Sequence, residues 1–170
     1  MLKAMDVADF ILQNRIDAGN PISNLELQKY LYFVNAKFLV EEGKTLFEEP
    51  IEKWKFGPVV NDVYHEYKDN RASKITGLSK HENIEITDDG FKIVSNEFKK
   101  SSIPKAIRTS LEESIDKLSK YDPFKLVEET HKHSEWKNDE ESIMNGASHL
   151  IYNNDSMREY FIEHEEARIW

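Results

Sequence analysis

Between Leu25 and Glu42 lies the most apolar stretch of the chain, with Leu27, Leu31, Val34 and Phe38 on one helical stripe and Tyr30, Phe33 and Leu39 widening it. Such a segment is predicted to be the central core helix. Ser23 or Asn24 can cap its start by accepting a hydrogen bond from a free amide, and Gly43 suits its end because glycine adopts the left-handed conformation at little cost. Other elements then have to pack around it.

Upstream, Met5, Ala8, Ile11, Leu12 and Ile16 recur mostly at spacings of three and four, which predicts a helix from Leu2 to Ile16, broken by Gly19, Asn20 and Pro21. Downstream, Leu46, Phe47, Ile51, Trp54 and Phe56 around Pro50 indicate an extended segment or short strand. Pro58, after Gly57, is expected at the first position of a helix from Val59 to Lys68, where a missing N–H is tolerated. Asn70 to His81 is polar and is expected to be a loop. From Asn83 to Val94, apolar and polar residues alternate on both sides of Asp89-Gly90, which predicts a β-hairpin with Ile86 opposite Ile93. Pro104 to Lys120 carries an amphipathic pattern, Asp122 can cap a short helix through Thr130, and a last helix is expected from Asp155. The fold class is therefore α+β and predominantly helical: about six helices around a central core helix, one β-hairpin and a short extended segment. A chain of 170 residues without repeats is expected to form a single domain, residues 1–170.

Charge and composition narrow the function. With 23 Lys+Arg against 32 Asp+Glu the formal net charge is −9, which repels nucleic acid and anionic membrane and attracts a basic partner. There is no cysteine, which excludes disulfides, thiolate nucleophiles and Cys-based zinc sites and fits a cytoplasmic location. Asp6, Asp9 and Asn14 interrupt the apolar positions of the N-terminal segment, so no signal peptide is expected, and nothing approaches a membrane-spanning run.

Catalysis finds no foothold. His65-Glu66 opens like a zinc-protease motif, but Asp69 stands where the second histidine is needed one helical turn on. His131 and His133 are two apart, so on a helix they point to different faces, and no third ligand is evident. No nucleophile elbow and no phosphate-cradling glycine loop is present. Neither a cofactor nor a metal is expected, and the chain is not expected to be an enzyme.

The element order resembles a winged helix-turn-helix, with IEITDDGFKIV as the wing. Charge opposes DNA binding: the segment in the recognition-helix position holds Asp62, Glu66 and Asp69 against Lys68, and the wing tip carries Asp88 and Asp89. What remains is an aromatic set, Trp54, Phe56, Tyr64, Tyr67 and Trp136, of the kind that anchors protein interfaces. Trp54 and Phe56 can equally serve to pin the Gly-Pro corner to the core. The acidic C-terminal string ending in Trp170 is a second interface candidate, for which a frayed terminus is the alternative.

The run ISNLELQKYLYFVNAKFLVEEGKTLFEEPIEKWKFGPVVNDVYHEYK, Ile22 to Lys68, resembles the SocA-like Panacea domain, with its lysine and L-Y-F on the core helix, then L-F, P-I, tryptophan and G-P-V before a helix with V-Y. A second segment, LVEETHKHSEWK (Leu126 to Lys137), is similar to that family's T-H and following tryptophan, here Thr130-His131 and Trp136, with Glu135 in place of the usual proline. The resemblance implies an antitoxin of bacterial or phage toxin–antitoxin pairs, which neutralises a separately encoded toxin by direct binding. The family's other mode is that of an adaptor delivering its toxin to a protease, and a winged-helix-like transcriptional regulator is the reading from another class. At 170 residues the chain is not expected to carry a substantial added DNA-binding region. On this reading the partner is a cognate toxin protein, with Trp54, Lys55, Phe56, Tyr64, His131 and Trp136 as the contact candidates and Gly57 and Pro58 as architecture.

Overall fold

A computed structural model describes residues 1–87, 90–96 and 98–170. The elements run α1 (Ala4–Asp17), α2 (Asn24–Glu42), β1 (Glu52–Trp54), β2 (Gly57–Val59), α3 (Asn61–Tyr67), β3 (His81–Thr87), β4 (Gly90–Asn96), α4 (Lys105–Leu118), α5 (Pro123–His131), α6 (Ser134–Lys137), α7 (Glu140–Met144) and α8 (Asn154–Glu163). The fold is predominantly helical α+β. The described residues hold eight α-helices, two more than the sequence suggests, because α6 and α7 are too short to show a period.

Helix α2 is the centre, touching α1, α3, α4, α5, α8 and β2. Ser23 caps it in a reciprocal arrangement: its hydroxyl accepts from the Glu26 amide while the Glu26 carboxylate accepts from the Ser23 amide at 2.7 Å. Gly43 closes it at φ 68, in the left-handed region. All but one residue from Asn24 to Leu39 is buried, polar ones included, so the helix has no solvent stripe to spare. Its buried polar groups are partnered, as burial demands. Gln28 accepts from the Val60 amide at 2.9 Å, and Asn35 accepts from the Leu46 amide at 2.9 Å. Lys29 donates to the Pro58 carbonyl at 2.9 Å.

Among the described residues the sheets are two separate antiparallel ribbons. In the first, Glu52 pairs with Val59, Lys53 with Pro58 and Trp54 with Gly57. Pro58 therefore does not open a helix as expected: it lies in β2, and α3 starts three residues later. A two-stranded ribbon tolerates a residue without an N–H, and the carbonyl of Pro58 is already claimed by Lys29. Residues 150–152 run beside β1, with Lys53 N–H donating to Leu150 and Tyr152 N–H to Ile51.

In the second ribbon Ile86 pairs with Phe91 and Ile84 with Ile93, so the expected pairing of Ile86 with Ile93 is corrected. The closing pair is Thr87 and Gly90, which makes Gly90 (φ 130) the first residue of β4 instead of a turn residue. The expected turn residue Asp89, with Asp88, lies outside the described residues. Both Ile86 and Phe91 are exposed.

Helix α5 starts as the sequence predicts, with the Asp122 carboxylate accepting from the amides of Phe124 and Lys125, both at 3.0 Å. Helix α8 packs Phe161 into the core, and Trp170 folds back onto it at 4.8 Å between ring centres, its carbonyl bound by Lys117. The terminal tryptophan is thus a core residue and not a frayed end.

Candidate partner-binding face

The two motifs of the sequence meet at the β1–β2 corner. Gly57, at φ 89, turns the chain where no side chain fits: a Cβ there would lie 2.5 Å from Thr130 Oγ1 and 3.1 Å from Lys29 Nζ. Helix α5 supplies Thr130 and helix α2 supplies Lys29, so glycine is what lets the corner sit down on both. Burial pulls the Lys29 ammonium down to about 7. Its hydrogen bond to Pro58 holds β2 from below.

From the side, Trp136 fixes β1. Its indole N–H donates to the Trp54 carbonyl at 2.9 Å, and its ring stacks on His131 with centroids 3.7 Å apart and planes 8° apart. Burial and the neighbouring Lys29 cation push the His131 imidazole below its usual value, against smaller opposing effects of Glu140 and the Lys55 backbone. Lys53 ties β1 to the same stretch of chain, through residues on either side of Trp136. Its ammonium lies 2.7 Å from both Glu135 and Asp139; burial pulls its pKa down, but the hydrogen bonds and negative charges of the two carboxylates together hold it above the usual lysine value. Glu135 lies in the first turn of α6, a position that a carboxylate suits, and is one of the two counter-ions of Lys53.

All six contact candidates fall in this one region, in two tiers. Trp54, Lys55, Phe56 and Tyr64 form the outer tier. Phe56 is 57% exposed at the corner, Lys55 beside it is exposed, and Trp54 and Tyr64 are half-buried in edge contact at 4.8 Å. His131 and Trp136 form the inner tier. Trp136 is 1% exposed, so it acts on the corner from beneath. The sequence reading missed Lys29, Thr130 and Lys53 as parts of this assembly. Lys29 and Thr130 stood inside the quoted motifs, but nothing in a helical period marks a lysine as buried.

The remaining histidine candidate diverges. His133 is buried against Tyr160 and Phe161, with Nδ1 hydrogen-bonded to the Tyr32 hydroxyl, and burial pushes it down to about 3. Among the described residues no group of three or more His, Asp or Glu side chains could hold a metal ion. On α3, Asp62 and Glu66 are exposed, which keeps an acidic surface in the recognition-helix position. No helix of the described residues is long and apolar enough to cross a membrane.

A family model described as "Antitoxin SocA-like, Panacea domain" matches residues 27–137, which include Lys29, the Gly57 corner, Thr130, His131 and Trp136. Antitoxin SocA of Caulobacter vibrioides is 45% identical over 83 residues, a stretch covering 45% of this chain and 44% of that protein. The match thus spans less than half the length of this curated relative. No solved structure matches the chain.

Proposed function

The chain belongs to the SocA-like Panacea-domain antitoxin family, and from that premise we propose that it neutralises a separately encoded toxin by direct binding. Trp54, Lys55, Phe56 and Tyr64 make the contact, and His131 and Trp136 hold the contacting corner in shape. The observation that carries this reading is the exposure of Phe56 at the tip of a corner secured from below by Lys29, Thr130 and Trp136. Exposed aromatic anchors on a rigid support lose little entropy when covered, which favours tight association. A charge of −9 adds long-range attraction for a basic partner. Inhibition is stoichiometric, because the complex covers the toxin's working surface and no bond is made or broken.

The direct test is co-production with the neighbouring reading frame. A small protein that halts growth alone, and is tolerated and co-purified when this chain is present, is the expected result. Recovery of no stable protein partner from the native cell would overturn the proposal.

A further inference from the structure

Beside the contact corner, β1 borders a cleft of about 230 Å³ lined by Trp54, Ile143, Ala147 and His149, by Glu52, and by Lys53 and the exposed Lys55. The Glu52 side chain is only 12% exposed. One of its oxygens accepts from the Trp54 indole N–H at 2.8 Å and the other from the Asn61 amide at 3.2 Å. A carboxylate offers about four acceptor positions, so each oxygen keeps one to give. Beside it is the imidazole of His149, whose Nδ1 stands 3.8 Å away on a side chain that is 80% exposed. Lys53, next in sequence, is committed to Glu135 and Asp139 instead.

His149 has a second peculiarity. It adopts φ 61, in the left-handed region that side chains with a Cβ avoid, immediately before residues 150–152 pair with β1. Strain at a non-glycine residue persists where the surroundings impose it, and such residues gather at ligand clamps. Here it places an exposed imidazole at the mouth of a cleft with a carboxylate inside.

We propose that this cleft receives an arginine side chain of the partner protein, its guanidinium bridging the two free positions of Glu52 and its stem lying against Trp54, Ile143 and Ala147. Arginine fits better than lysine because its planar fork meets both carboxylate oxygens and its flat cation packs on an indole. The apolar walls suit the methylene stem. Entry displaces His149 from the mouth. The inference rests on the toxin-binding reading above for the identity of the partner, but the chemistry of the cleft can be tested without the toxin.

The experiment is an NMR titration of the isotope-labelled chain with the capped tripeptide acetyl-Gly-Arg-Gly-amide, and with the same peptide carrying citrulline, which keeps the shape and loses the charge. The indole N–H signals of Trp54, Trp136 and Trp170 are read together. Saturable shifts confined to Trp54 and His149, at least tenfold weaker with citrulline, are expected. Glu52→Gln should weaken arginine binding about tenfold. Ala147→Leu, which fills the cleft without touching the carboxylate, should abolish the shifts while an unchanged Trp136 signal shows that the fold is kept. Equal shifts with both peptides, no shift at all, or shifts indifferent to Ala147→Leu would overturn the proposal. Protection from toxin without arginine binding removes the cleft and spares the function, whereas arginine binding without protection does the reverse.

Discussion

The indole N–H of Trp136 reaches the main-chain carbonyl of Trp54 at 2.9 Å, joining a four-residue helix to the tip of a three-residue strand across 82 positions of sequence. Neither element is long enough to stand alone. Each is held by contacts of this kind. Trp136→Phe keeps much of the packing against His131 and loses the bond, leaving the Trp54 carbonyl without this donor. We expect a loss of about 1–3 kcal/mol in urea unfolding, accompanied by weaker toxin binding. An unchanged midpoint would show that the bond contributes nothing.

Gly57→Ala should cost more than an ordinary glycine replacement. The new methyl carries a left-handed penalty of about 1–2 kcal/mol, and it also strikes Thr130 Oγ1. Removing that hydroxyl with Thr130→Ala should return only the steric share. A double-mutant cycle that shows strict additivity would argue that the two residues do not press on one another.

Lys29 makes stability depend on pH in a window of its own. Its folded pKa is about 7 and its unfolded value 10.5, so between these limits the unfolded chain holds a proton that the folded chain has released. Stability from this group therefore rises with pH across the window, by at most about 1.4 kcal/mol per pH unit. Below about 7 its penalty is complete, and above 10.5 it has vanished. Urea unfolding at pH 7, 8 and 9 should show a steeper rise for the native chain than for Lys29→Met, and parallel profiles would refute the assignment.

Phe56 separates binding from folding. Its ring is exposed at the corner, so Phe56→Ser should shift stability by no more than about 0.5 kcal/mol. Protection of cells from the toxin should nevertheless fall sharply, as for a buried hot spot in a complex. Full protection by this variant would move the contact elsewhere.

Much of the scaffold can be read directly from local chemistry. Ser23, Gly43 and Asp122 act as helix caps where their types and positions say they should. The alternating run on either side of Gly90 forms a hairpin. Where reading fails, the deciding contact is distant in sequence. A proline after glycine suits either the first turn of a helix or an edge strand, and Pro58 is held in the strand in part by Lys29, 29 positions away. Lys29, Gln28 and Asn35 look like a polar face, yet each is buried because loops and strands bring backbone groups to meet them. The six contact candidates were legible as residue types. That they divide into an exposed tier and a supporting tier was not, because the division depends on Trp136 turning inward to bind Trp54.

The crowding of α2 has a consequence for how such a chain can diversify. A helix with neighbours on nearly every side leaves few silent positions, so most changes along it alter the whole interior at once. Novelty is far easier to accommodate on the periphery, where a corner residue can be exchanged without disturbing the scaffold. A chain built on this plan can change its rim while its axis stays fixed.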